Sequence, residues 1–143
     1  MTRFVRLSHQ RKLLLFEAIW RLFWAVLQVR LTPFRVMAGR LGKSGHESPF
    51  EVPTDHATVA QDTSWAISAI SRRLFKPPTC LMQAAAAKSI LSRRGISATV
   101  YFGVAPGTGD GRGFNAHAWL RCGRRIVTGK SESQRYKPLA WFG

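Results

Sequence analysis

The hydrophobic pattern of this 143-residue chain changes its period once, close to Gly95. Before Gly95, apolar residues recur at helical spacing; after it come short runs rich in β-branched and aromatic residues, separated by turn signals. Helices followed by an antiparallel sheet indicate an α+β fold. The length suits a single domain, which we divide into an N-terminal helical region with a linker at residues 1–53 and a core at residues 54–143.

Residues 9–31 are predicted to form one long helix. Its polar side chains fall mostly on a narrow strip, in which Glu17 and Arg21 have the spacing of a helical ion pair. The rest of its surface is largely apolar, which predicts burial against the same domain or against a partner. A membrane-spanning helix is disfavoured because two charges near its middle would be costly in lipid.

A second helix is expected from Thr54, with Thr54 or Asp55 as its N-cap and with Pro77 and Pro78 ending it. The preceding residues 32–53 are rich in glycine and proline and are expected to be a loop or linker with at most a short helical turn.

The clearest helix covers residues 79–94, with Thr79 as N-cap, four consecutive alanines in its interior and Gly95 just past its end. Three strands should follow, in the segments SATVYFGVA, FNAHAWLRC and RIVTG, the last two joined by a tight turn at Gly123 and Arg124. The apolar C-terminal segment KPLAWFG is expected to pack back on the domain.

Cys80 is the candidate nucleophile because it lies in the first turn of that helix. Free N–H groups and the positive end of the helix dipole stabilise a thiolate there, and the N–H of Cys80 can donate to a developing oxyanion. His117 is the candidate base, since its small neighbours Ala116 and Ala118 let another element approach. From the residues alone, the more common interpretation is that both are ordinary core residues.

Strand alternation places Cys122 on the opposite face from His117, so Cys122 is interpreted as a structural residue. A third group usually orients a catalytic imidazole. The residues expected opposite His117 are not carboxylates: Thr128, Gly129 and Lys130. The candidates left open for this role are Glu132, Asp110 and, more weakly, Asn115.

A net charge of +15 predicts attraction to anionic partners without choosing among them. No metal site or cofactor is expected, because no cysteines and histidines have ligand spacing and the glycine-rich segment PGTGDGRG does not match a phosphate-binding loop. Nor do the scattered basic residues match a nucleic-acid module. Two cysteines and no signal-peptide pattern predict reduced thiols and a cytoplasmic location.

Two stretches together resemble a known family: PTCLMQAAAAKSILSRRGISATVYFGV and FNAHAWLRCGRRIV. They are similar to the leader peptidase of lasso-peptide biosynthesis, the protease half of the lasso-peptide B protein. The resemblance implies a transglutaminase-like, papain-like cysteine protease core over residues 54–143. It also implies Cys80 as nucleophile and His117 as base. The third catalytic residue of that family, an Asp, would fall near Gly129, where this sequence lacks it. The third group therefore stays open, and a Cys–His dyad can still work if packing or a backbone carbonyl holds the imidazole.

The resemblance further implies the reaction and the partners. The substrate would be a ribosomally made precursor peptide, cleaved between its leader and its core. The partners would be that precursor, a small separate leader-recognition protein and a macrolactam synthetase, with no nucleic acid and no stable membrane insertion.

Two alternatives remain at this point. One keeps the fold but transfers the acyl group to an amine instead of water. The other is a non-catalytic basic module that binds nucleic acid or a membrane surface.

Overall fold

The computed structural model describes residues 8–106 and 114–143, with the backbone alone at positions 114, 131 and 132. Its elements follow the predicted order, helices first and then a sheet. They are α1 (His9–Leu31), α2 (Phe34–Arg40), α3 (Thr54–Ser71), α4 (Cys80–Arg93), β1 (Thr99–Pro106), β2 (Phe114–Cys122), β3 (Arg125–Thr128), α5 (Lys130–Ser133) and β4 (Lys137–Phe142). The α+β prediction is confirmed.

The four strands form an antiparallel sheet in the order β3-β2-β1-β4. The C-terminal segment expected to pack back is therefore the edge strand β4. Helix α4 lies mainly over β2, and α1 and α3 pack against α4. The apolar core runs continuously between these elements, from Leu14 and Ala18 of α1 through Ile90 of α4 to Val100 and Leu120 of the sheet.

Helix α4 begins and ends as its sequence predicts. The hydroxyl of Thr79 accepts a hydrogen bond from the N–H of Met82 at 3.3 Å. At the other end Gly95 has a φ of 70°, and the N–H of Ile96 donates to the carbonyl of Leu91 at 2.9 Å. This is the glycine-terminated hydrogen-bond pattern that satisfies the last carbonyls of a helix. Both ends of α4 are thus fixed by local interactions.

The predicted start of α3 at Thr54 is confirmed, but its predicted N-cap and its predicted end were wrong. Thr54 is already helical and Pro53 occupies the N-cap position, so neither Thr54 nor Asp55 caps the helix. The helix ends at Ser71, six residues before Pro77, where the guanidinium of Arg73 donates to the carbonyl of Ala69 at 2.8 Å. A side chain that satisfies a terminal carbonyl lets the helix stop early.

The predicted ion pair within α1 is replaced by one between helices. Glu17 accepts two hydrogen bonds from Arg94, at 2.6 and 3.1 Å, and lies 3.6 Å from Arg93. Burial acts to raise the pKa of Glu17, but the hydrogen bond and charge of Arg94 and the charges of Arg93 and Arg21 outweigh it and hold the pKa below its ordinary value. Glu17 of the polar strip therefore faces α4, and much of the apolar surface of α1 faces solvent.

The segment expected as a linker contains the seven-residue helix α2 and is fixed to the sheet beyond it. Buried Arg121 donates to the carbonyl of Ser48 at 2.8 Å and to the hydroxyl of Tyr101 at 2.9 Å, and Tyr101 donates to Glu47 at 2.8 Å. The ring of Phe50 lies 3.9 Å from the guanidinium carbon of Arg121. This network orders the chain between α2 and α3.

No helix among the described residues is both long and apolar enough to cross a membrane.

Candidate active site

The thiol of Cys80 lies where α4 meets the edge of β2. Cys80 is the first residue of α4 and is half-buried. Its Sγ atom accepts a hydrogen bond from the backbone N–H of Ala118 at 3.4 Å. Since the hydroxyl of Thr79 takes the N–H of Met82, the N–H groups of Cys80 and Leu81 have no partner inside the helix. Two donors are thus available beside the sulfur for a carbonyl oxygen.

The imidazole of His117, in the middle of β2, is buried and has a defined orientation. Its Nε2 atom lies 3.0 Å from the carbonyl oxygen of Gly129. A carbonyl only accepts hydrogen bonds, so Nε2 carries the proton and donates it. In the neutral ring, the unprotonated nitrogen is therefore Nδ1, which makes Nδ1 the basic atom.

Both groups lie along the same edge of β2. The N–H and C=O of a strand residue point to the same side, and those of Ala118 point away from β1. Cys80 takes the N–H there, and a Cβ built on Gly129 would stand 2.9 Å from the Ala118 carbonyl oxygen. The pairing of β3 with β2 extends only to Leu120, so this edge is free for the thiol and for the turn at Gly129.

Cys80 and His117 also line one cavity of about 280 Å³. The other lining residues are mainly apolar: Phe34, Leu81, Phe102, Gly103, Val104, Ala116, Ala118 and Leu139. The described hydrogen bonds of the two residues go to Ala118 and Gly129 and do not join the thiol to the ring. Catalytic hydrogen bonds are often long in ligand-free structures and shorten when substrate binds.

Aromatic rings hold the imidazole from the sides. Trp119 stacks on it with centroids 5.8 Å apart, and Tyr136 lies 5.0 Å away at a tilt of 32°. Trp119 in turn stacks on Tyr101 at 5.6 Å. Gly103, opposite His117 in the β1–β2 register, makes room for Trp119, since a Cβ there would lie 2.8 Å from its ring. The ring of His117 is therefore restricted by packing as well as by its hydrogen bond.

The three candidates for a third catalytic group have different positions. Asp110 lies outside the described residues, and Glu132 lies in α5, where only its backbone is described. Asn115 is exposed on β2, opposite Ala105 of β1. The group observed at Nε2 is the backbone carbonyl of Gly129. Tyr136 was not among the predicted site residues, because it lies in an irregular segment after α5 that carries no periodic signal.

Gly129 has no space for a side chain. Its φ is 77°, and a Cβ would lie 2.8 Å from Nε2 of His117 and 2.9 Å from Cβ of Trp119. A carboxylate at this position would collide with the ring that it was meant to orient. The group at Nε2 of His117 is therefore the backbone carbonyl of Gly129 and not a side chain at this position.

Cys122 has the structural role predicted for it. It is fully buried on β2, and burial raises the pKa of its thiol, although the charge of Arg121 acts in the opposite direction. Within the described parts of the chain, no group of three or more His, Cys, Asp or Glu residues is arranged to hold a metal ion.

Comparison with known proteins places this fold in a family. Neither the curated proteins nor the solved structures gave a match to this chain. The family model described as "Transglutaminase-like superfamily" matches residues 26–140, which include Cys80, His117 and Gly129. The chain belongs to the transglutaminase-like superfamily.

Proposed function

We propose that this protein is a cysteine peptidase that removes the leader from a ribosomally made lasso-peptide precursor. The observation that carries the proposal is the position of the Cys80 thiol at a helix N-terminus. There it accepts a hydrogen bond from the N–H of Ala118, the residue next to His117 on β2. Thiol-dependent hydrolysis and acyl transfer typify the superfamily. The lasso-peptide assignment rests on the motifs around Cys80 and His117 that resemble the family of leader peptidases.

The reaction follows from the tautomer of His117. Nδ1 takes the proton of Cys80, and the sulfur attacks the scissile carbonyl carbon, whose oxygen is stabilised by the N–H groups at the head of α4. The C–N bond then breaks, Nδ1 returns the proton to the leaving amine, and an acyl thioester remains on Cys80. Water attacks the thioester, gives a proton to Nδ1 and releases the acid, and the thiol is restored.

In this proposal, Gly129 and the aromatic rings orient the imidazole of His117 in place of a third catalytic side chain. The carbonyl of Gly129 fixes the tautomer and its dipole favours the imidazolium that forms when Nδ1 is protonated. A dipole stabilises that cation less than a carboxylate does. We therefore expect a working dyad, slower than a triad in the chemical step.

The proposed partners are the precursor peptide, a separate leader-recognition protein and a macrolactam synthetase that takes up the released core. The charge of +15 fits an acidic leader or an acidic recognition protein. Binding of either partner should weaken as the ionic strength rises, and binding unaffected by salt would remove the electrostatic part of the proposal.

The test is cleavage of the precursor, followed by mass spectrometry in the presence of the recognition protein. Cys80→Ala should abolish cleavage and leave the thermal melt unchanged, whereas Cys122→Ala should retain activity. Cleavage by Cys80→Ala would overturn the proposal. A product whose mass corresponds to the acyl fragment joined to an amine would identify an acyl transferase. Full activity in Asp110→Ala and Glu132→Ala would support the dyad.

A further inference from the structure

A large groove separates α1 from the connection between α3 and α4. Its volume is about 1300 Å³, and most of the residues that line it are apolar. Phe16 and Phe23 come from α1, and Phe75 comes from the connection. The cavity at Cys80 is separate and several times smaller.

The apolar side chains of this groove are exposed to an unusual degree. Phe75 is 100% exposed, Phe16 72% and Phe23 54%. Trp20 and Trp24 extend the apolar surface of α1 beyond the groove, with exposures of 56% and 45%. Contiguous apolar patches of this kind mark interaction sites, because soluble proteins otherwise keep such side chains from water.

The charged residues that line the groove, within the described part of the chain, are all cationic. They are Lys12, Arg30, Arg72, Arg73 and Lys76. No carboxylate is found among these described lining residues. Arg73 is partly engaged by the carbonyl of Ala69, while Arg72 and Lys76 are exposed. An apolar floor with a cationic rim is complementary to an amphipathic segment that carries acidic residues.

We propose that this groove binds an acidic amphipathic helix of a partner protein. Its volume exceeds that of typical small-molecule pockets, and a helix that lays its apolar face into a groove is a common mode of peptide recognition. A flat bilayer surface would not fill a concave groove. A second copy of this chain is disfavoured because a symmetric dimer would bring two cationic rims together.

The position of the groove links it to the thiol. Pro77 and Pro78 form one end of its lining, and Cys80 begins α4 two residues later. A helix bound in the groove would therefore hold its own chain, or a peptide attached to it, close to the mouth of the active site. The binding itself does not depend on the chemistry of Cys80, so the Cys80→Ala chain can be used to measure it.

The probe is a fluorescein-labelled amphipathic peptide of about 18 residues, or five helical turns, built from leucine and glutamate. Its matched control carries lysine in place of glutamate. Fluorescence anisotropy should show binding of the glutamate peptide that weakens with salt, and at least about tenfold weaker binding of the lysine peptide. Phe75→Ser and Lys76→Glu should each weaken binding of the glutamate peptide by about tenfold. Because Phe75 is fully exposed, its replacement should leave the thermal melt unchanged.

The control variants lie outside the groove. Leu31→Ser removes an exposed apolar residue of the same helix, and Arg125→Glu reverses an exposed charge on β3; both should bind the glutamate peptide as the parent does. Equal binding of the two peptides, or variants without effect, would overturn the proposal. Two other results would also overturn it. One is Phe75-dependent binding to phosphatidylglycerol vesicles without binding of the peptide, which would identify a lipid surface as the partner. The other is a dimer of this chain that dissociates in Phe75→Ser.

Discussion

Replacing Gly129 with alanine tests whether the backbone positions the imidazole. The added Cβ would lie 2.8 Å from Nε2 of His117 and 2.9 Å from the carbonyl oxygen of Ala118, at a φ of 77°. The left-handed backbone costs a residue with a Cβ about 1–2 kcal/mol. Overpacking a fixed site adds about 1–3 kcal/mol. We expect Gly129→Ala to lower the free energy of unfolding by about 2–5 kcal/mol, measured in urea.

Gly95→Ala is the matched control. Gly95 has a φ of 70°, but no atom lies within 4 Å of the position of its Cβ. It should therefore lose only the backbone part, about 1–2 kcal/mol. Nitrogen-15 NMR of the imidazole should show the Nε2-protonated tautomer of His117 in the parent and in Gly95→Ala, and its loss in Gly129→Ala. Equal losses of stability and an unchanged tautomer would refute this role of Gly129.

Three further predictions concern the elements around the thiol. Glu17→Gln should lower the free energy of unfolding by about 1 kcal/mol at neutral pH. The pKa of Glu17 is lower in the folded chain, so its contribution to stability is present above the ordinary carboxyl pKa and is lost as the pH falls through the folded value. Below about pH 5, the free energy of unfolding should therefore fall less steeply with pH in Glu17→Gln than in the parent. The same pH dependence in both chains would contradict this. Peptide mapping after brief alkylation should find label on Cys80, with Cys122 labelled only after unfolding; early label on Cys122 would contradict its burial. Thr79→Ala should cost about 1 kcal/mol in urea, and a change below a few tenths would mean that the cap at Met82 does not stabilise α4.

Most of the fold could be predicted from local signals. The change of period at Gly95, the cap at Thr79 and the alternation of β2 are set by neighbouring residues, and each agrees with the structure. The end of α3 depends on Arg73, whose side chain reaches back to Ala69. The partner of Glu17 depends on how α1 packs against α4. The first contact spans only four residues and the second joins two helices, and neither leaves a periodic trace in the sequence.

The site was predictable to a similar extent. Position at a helix N-terminus singled out Cys80, and the turn at Gly123 placed residues 128–130 opposite His117 without choosing among them. The hydrogen bond between Nε2 and the carbonyl of Gly129 depends on the irregular register between Leu120 and Arg121. No residue type in the sequence predicts that irregularity. The sequence left open whether the apolar surface of α1 packs within the domain or against a partner, because apolar residues follow the same helical pattern in both cases.

The most direct test of the account is the rate at which Cys80 reacts with iodoacetamide at about pH 6, in a Cys122→Ser background. At that pH a free thiol is almost entirely protonated and reacts slowly. We expect Cys80 to react at least about tenfold faster than free cysteine, and His117→Ala to remove this excess. A Cys80 that reacts like free cysteine, or equally fast with and without His117, would contradict the pairing of thiol and imidazole.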